Sequence, residues 1–290
     1  MPVPHLLLAL AVVAVWGTNF VVIRLGLDAF APSTFAALRY TLSCLPLLFF
    51  VPRPALGWGR LAAFGVLIGV GQFGLLFRAM QGDISPGLAS LVIQAQVFFT
   101  IALSALLYRE HLRRLQWPAF ALAVGGLAVV ALHVSRGGGA VTATGVGLVL
   151  LAAACWAGGN LVARSAGRVN ALGFIVWSSP FAAVPLWLIT LAQDGPAAVG
   201  ASLAHAGAMA WGAAAWQAVG NTLFGYGAWN WLLVRHGAAT VTPTALLVPV
   251  FGMAASALAL GEGLPAWKVA AALLVMAGLA INVLATRPRT

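Results

Sequence analysis

The sequence predicts an all-α, polytopic membrane protein of ten transmembrane helices, built as two inverted five-helix repeats. Three observations carry that prediction: the composition, ten apolar runs with short breaks, and a match between the two halves. The chain has 290 residues, 62% hydrophobic and only 7% charged, with a mean hydropathy of +1.00. An ordinary soluble domain is about 25% charged, and its exterior has to be largely polar. A spanning helix needs ~20 apolar residues, so ten take ~200 and leave ~8 for each loop or tail. That leaves no room for a separate soluble domain, a nucleotide-binding motor or a disordered tail.

The runs follow in order. The first, 5–27, is long enough to span. The segment before it, Met1-Pro2-Val3-Pro4-His5, lacks the basic start of a signal peptide, so this run is read as a retained helix. It stops at Asp28-Ala29-Phe30-Ala31-Pro32. The second, 32–51, ends on Val51-Pro52-Arg53-Pro54, and the third, 60–80, on Gly82-Asp83-Ile84-Ser85-Pro86. The fourth, 86–107, ends on the charged stretch Arg109-Glu110-His111-Leu112-Arg113-Arg114. The fifth, 115–133, is closed by Gly137-Gly138-Gly139. The sixth and seventh are 145–164 and 172–192, followed by an expected loop from Asp194 to His205. The last three are 207–233, 238–260 and 266–286. Helix-breaking or strongly solvated residues mark these breaks.

An even number of spans puts both termini on one side. Arg53, Arg60, Arg109, Arg113, Arg114, Arg164, Arg168, Arg235, Arg287 and Arg289 fall on the terminus side, and Arg24, Arg39, Arg78, Arg136 and Lys268 on the other. Ten against five makes the terminus side cytoplasmic. Asp28, Asp83, Asp194 and Glu262 fall outside and Glu110 inside. The net charge of +10 therefore reflects helix ends, not a nucleic-acid surface. Cys44 and Cys155 lie in apolar runs and read as buried free thiols. No metal-ligand spacing, Gly-x-Ser-x-Gly, His-Glu-x-x-His or Walker lysine motif occurs, so neither an enzyme nor a cofactor is expected.

Sliding residues 99–128 by 152 positions onto 251–280 gives twelve identities in thirty, including Glu110/Glu262 and Gly126/Gly278. An offset of 140 pairs Trp16 with Trp156 and Arg24 with Arg164, and an insertion in the 194–205 loop accounts for the difference. The repeats are then 1–136 and 137–290. Five is odd, so the second half enters the membrane upside down, an arrangement typical of secondary transporters.

Trp16-Gly17-Thr18-Asn19-Phe20-Val21-Val22-Ile23-Arg24, Gly87-Leu88-Ala89-Ser90-Leu91-Val92-Ile93-Gln94-Ala95-Gln96 and Leu246-Leu247-Val248-Pro249-Val250, with Glu262 beyond, resemble the EamA-type transporters of the drug/metabolite transporter superfamily. Within it the chain is similar to bacterial inner-membrane exporters of amino acids, including the cysteine/O-acetylserine and aromatic types. The resemblance implies ten helices, an inner-membrane location and export of a small molecule by a monomer or weak homo-oligomer. Amino acids or related zwitterionic metabolites are the expected cargo. Drugs or other hydrophobic metabolites are the alternative, as is a membrane subunit that carries nothing.

Polar side chains inside spans are costly in lipid and should face the bundle interior. The candidate cargo residues are Trp16 and Asn19 in the first run, Gln72 in the third, Gln94 and Gln96 in the fourth, Trp156 and Asn160 in the sixth, and Gln217 and Asn221 in the eighth. The other reading of each amide is interhelical glue, worth ~0.6 kcal/mol per bond. Gln217 and Asn221 are four apart and share a helical face. Gln94 and Gln96 point roughly 200° apart, so at most one should face a given cavity. Trp229 is a further pocket candidate, whereas Trp58, Trp117 and Trp267 read as interface belt. Arg39 and Arg78 either attract a substrate carboxylate or pair with Asp28, Asp83 or Glu262. No carboxylate is expected near the midplane, so Glu110 and Glu262 should brace the ends of the fourth and ninth helices. Pro46, Pro180, Pro185, Pro243 and Pro249 should interrupt theirs, and Gly125, Gly126 and Gly278 should allow close packing.

Overall fold

A computed structural model describes residues 1–137, 141–167 and 169–286. The break at 138–139 and Arg168, Arg287 and Arg289 of the charge count lie outside the described residues. Among those described there are helices and turns and no strand. Ten helical segments follow one another: α1 (Val3–Leu27), α2 (Pro32–Cys44), α3 (Trp58–Met80), α4 (Pro86–Tyr108), α5 (Gln116–Ser135), α6 (Ala143–Ala166), α7 (Ala171–His205), α8 (208–236), α9 (238–260) and α10 (Ala266–Thr286). Eight of them, all but α2 and α8, contain a stretch long and apolar enough to cross a membrane. The protein is a multi-pass integral membrane protein.

Two boundaries differ from the sequence expectation. Helix α2 stops at Cys44, and 45–50 form turns where helix was expected to 51. Pro46 is the cause, since its ring clashes with the carbonyl four residues back and it offers no N–H. The expected loop from Asp194 to His205 is instead helical. Gly195 alone departs, at φ 78°, and kinks α7 before Pro196 opens its last stretch. Only glycine enters that region without strain, and proline suits a first helical turn.

Four other helices are irregular where they pass the centre. Helix α3 is a π-helix over Val66–Gly74, and α8 over Trp216–Phe224. Helix α4 breaks between Val92 and Ala95. Helix α9 opens with one α-helical turn, Ala238–Val241, followed by a 3₁₀ stretch, Thr242–Leu247, that contains Pro243 and ends just before Pro249.

Contacts between helix ends fix the alternating directions. At the end that holds the chain termini, His5 and His236 share a 2.6 Å hydrogen bond, Trp177 Nε1 donates to the Val51 carbonyl at 2.9 Å, and Arg113 donates to the Ala285 carbonyl at 2.6 Å. At the opposite end, Thr142 donates to Asp83, and Ser85 donates to Glu262. Between them lies a continuous core in which Phe35, Phe77, Leu88, Leu91 and Leu186 are buried.

Helices α5 and α10 approach closely at two glycines. A Cβ on Gly126 would lie 2.9 Å from the Ala271 carbonyl oxygen and 2.7 Å from Val275. One on Gly278 would lie 2.7 Å from the Ala119 carbonyl oxygen. Gly125, grouped with them in the sequence, faces open space instead.

Candidate functional site

A cavity of about 630 Å³ lies between the helices. It brings together Trp16, Asn19, Gln72, Gln94, Gln96, Trp156, Asn160 and Asn221, with Trp229. Phe20, Phe64, Phe73, Leu76 and Ile93 add an apolar wall. At one end the lining reaches Thr242 and Thr286, both exposed on the terminus side. Its other end is closed by Ile23, Leu76 and Ile93, each at most 2% exposed.

Three expectations need correction. Gln94 and Gln96 both line the cavity, because the break in α4 between them resets the 100° step that separates neighbours on a regular helix. Gln217 does not line it, although Asn221 does. The two share a face as the four-residue spacing predicts, since both side chains meet Arg39 and Asn19, but Gln217 lies behind the wall. Arg39 and Arg78 do not line it either. Arg78 pairs at 3.3 Å with Asp83, one of the partners expected for it, and is largely solvated. Among the lining residues that were missed are Thr100, Tyr226, Asn230 and Asn282. The two asparagines sit inside apolar runs and carry the same signal as the amides that were chosen. Thr100 and Tyr226 carry none.

Hydrogen bonds hold several of the lining side chains. Asn160 Nδ2 donates to Gln96 Oε1 at 3.0 Å and to Thr100 Oγ1 at 3.1 Å. Trp16 Nε1 donates to the Asn221 carbonyl at 3.3 Å, and its ring stands 5.1 Å from that of Trp229. Gln72 Oε1 is buried without a hydrogen-bond partner.

Arg39 lies behind this wall and is fully buried. Its Nη1 donates to Gln217 Oε1 at 2.6 Å, and its guanidinium stacks 3.7 Å from the Phe73 ring centre. Gln217 Nε2 donates onward to Asn19 Oδ1 at 2.8 Å. The donors around Asn221 require its oxygen to face Arg39. So set, Oδ1 accepts from Arg39 Nη1 at 2.8 Å, Arg39 Nη2 at 3.0 Å and Asn19 Nδ2 at 3.3 Å. Burying an ion costs several kcal/mol, and here amide oxygens and a ring face offset that cost.

Acidic side chains sit at helix ends. Arg24 pairs with Asp28, and Asp194 accepts from Thr190. Glu262, just past α9, is 9% exposed and accepts from Lys268 Nζ at 2.8 Å. It also accepts from Ser85 Oγ at 2.5 Å and from the Gly87 N–H at 2.9 Å. It thus ties the end of α9 to the start of α4, across the closed end of the cavity. Burial works to raise its pKa, but the hydrogen bonds from Lys268, Ser85 and Gly87 hold it below the usual carboxylate range. Its repeat counterpart Glu110 pairs with Arg164 at the open end, where both are about half exposed.

A chain of this shape and composition has clear relatives. The family model for EamA-like transporters matches residues 3–132 and again 143–284. The chain belongs to the EamA-like transporter family. A Salmonella typhimurium relative of this EamA-like chain, named a probable amino-acid metabolite efflux pump, is 40% identical over 97% of the chain and 95% of its own length. An Escherichia coli protein of the same name is 39% identical over the same shares. A probable terminal-alkyne amino-acid exporter of Streptantibioticus cattleyicolor is 25% identical over 92% of the chain and 89% of its own. A solved crystal structure matches the fold with a TM-score of 0.64 over 98% of each chain, at 19% identity. The EamA-like family and these relatives are transporters, not enzymes.

Proposed function

We propose that the protein exports amino acids or related small zwitterionic metabolites across the bacterial inner membrane by alternating access. The cavity is the cargo site, and all ten helical segments cross the bilayer as two inverted repeats, 1–136 and 137–290. The Arg bias puts both termini in the cytoplasm. The observation that carries the reading is the cavity itself, about 630 Å³ of mostly apolar wall with a few fixed amides and indoles. Such a wall suits a small molecule with one or two charges better than a highly charged metabolite, since every unpaired ionic group is expensive to desolvate. The relatives named as amino-acid efflux pumps support the same class of cargo.

With the termini inside, the cavity opens to the cytoplasm, the state from which an exporter collects cargo. No acidic residue lines it among the described residues. A membrane-buried carboxylate is the usual proton relay, so transport runs on the cargo gradient by facilitated export or exchange. The test is counterflow in liposomes holding the purified protein, over a panel of amino acids and hydrophobic drugs. Exchange of amino acids that survives a protonophore is the expected result. Exchange confined to drugs, or none over the whole panel, overturns the reading.

A further inference from the structure

We infer that Arg39 sets the polarity of the cavity wall, so that Asn221 presents a hydrogen-bond donor to the carboxylate of the cargo. The inference rests on the cavity being the cargo site and deepens that reading by assigning the carboxylate end of the zwitterion.

A guanidinium only donates hydrogen bonds and keeps its charge. The charge of Arg39 has no acidic partner among the described residues. Each of the five carboxylates is engaged elsewhere, at the helix ends. Amides that face Arg39 must therefore turn their oxygens toward it. Gln217 does so, and this sends its NH₂ to Asn19 Oδ1. Asn19 in turn donates to Asn221 Oδ1, which also accepts both Arg39 nitrogens. Every orientation in this chain follows from the single cation at its origin. Arg39 Nε, buried behind the wall, is one donor left unused in it; the other is Asn221 Nδ2, on a residue that lines the cavity.

A donor backed by a full positive charge favours an anion and repels a cation. An α-amino acid answers that donor with its carboxylate at Asn221. An amine without the carboxylate leaves the charge of Arg39 unanswered. Arg39 is a positioning residue in this scheme, since it acts through Asn221 and does not line the cavity.

Asn221→Asp and Gln217→Glu test the inference, because each is isosteric and supplies Arg39 with a permanent counter-charge. Wild type and both variants are reconstituted in liposomes. Counterflow is measured for neutral amino acids, each paired with the amine left by removing its carboxylate, and melting is followed in the same preparations. Wild type should prefer the amino acid of each pair. Both variants should lose at least tenfold for amino acids, through KM and not the maximal rate, with the preference narrowed or reversed. Melting temperatures should stay level or rise, since a buried cation gains a partner. Variants that keep the wild-type preference overturn the inference and leave amino-acid export standing. A fall in the melting temperature of both variants also counts against it. Wild type that exchanges no amino acid overturns the proposed function and this inference with it.

Discussion

Gly125 and Gly126 are neighbours on α5, yet one more methyl group should have opposite effects at the two positions. At Gly125 a Cβ meets nothing within 4 Å. Alanine there should stabilise the helix by about 0.5–1 kcal/mol, the usual difference between the two residues inside helices. At Gly126 the same atom would sit 2.9 Å from a carbonyl oxygen and 3.2 Å from a backbone nitrogen of α10, besides the 2.7 Å approach to the side chain of Val275. Backbone atoms of a packed helix cannot turn aside as a side chain can, so the two helices must separate. Overpacking of this kind costs about 1–3 kcal/mol. Set against the gain in helix propensity, the net loss is centred on about 1 kcal/mol and reaches about 2.5 kcal/mol. The assay is equilibrium unfolding in mixed detergent micelles, with Gly125→Ala, Gly126→Ala and wild type side by side. Equal stability of the two variants, or Gly126→Ala at or above wild type, would refute the close approach of α5 and α10.

Further outcomes follow from the helix ends and the cavity. Glu262→Gln removes charge-assisted bonds worth about 1.5–3 kcal/mol, enough to move an open–closed ratio tenfold or more. A cysteine at Ile23 should then gain reactivity toward an impermeant thiol reagent applied from the side opposite the termini, while counterflow at pH 7 continues; unchanged labelling would deny Glu262 a role in holding that end shut. The pKa of Glu262 is lowered, so its stabilisation is complete above about pH 4.3, the unfolded value. It fades only as pH falls through the folded value, so with Glu262 intact the labelling of the cysteine at 23, taken relative to a fully exposed cysteine at the same pH, should be flat from pH 5 to 8. Trp16→Ala should reduce transport with expression unchanged, since its indole closes one side of the cavity, and normal rates would remove it from the site. In otherwise cysteine-free protein, a cysteine at 195 should be labelled from outside the cell and one at 112 only from inside; the reverse pattern would invert the topology.

How much of this could be read from residue order depends on how regular each helix is. The apolar runs predict where helical segments lie because the bilayer sets one length for all of them. Their ends are marked by residues such as Pro32 and Pro86, whose chemistry is local. The polar residues of α1 and α6 reach the cavity in the phase that a regular helix dictates, as Trp16 with Asn19 and Trp156 with Asn160 do. Face arithmetic fails on α4, where a break changes the phase without any distinctive residue to announce it. Arg39 illustrates another limit. Its depth in the second run is visible in the sequence, but its partners Gln217 and Asn221 come from a helix some 180 residues away. Only the packing of α2 against α8 reveals that amides, not a carboxylate, meet its charge.

The glycine contact between α5 and α10 also says something about assembly. Gly126 rests against Ala271 and Val275, while Gly278 rests against Ala119 and Ala123. Each of these positions in α10 is 152 residues beyond its counterpart in α5. The patch therefore maps onto itself when its two sides are exchanged, which is the property of an isologous interface in a two-fold dimer. The covalent link between the halves contributes proximity, but the complementarity is already present in the surfaces. Two fragments produced separately, one ending before residue 138 and the other starting after 140, carry every atom of that contact. They should find each other in the bilayer with these two helices as the seam.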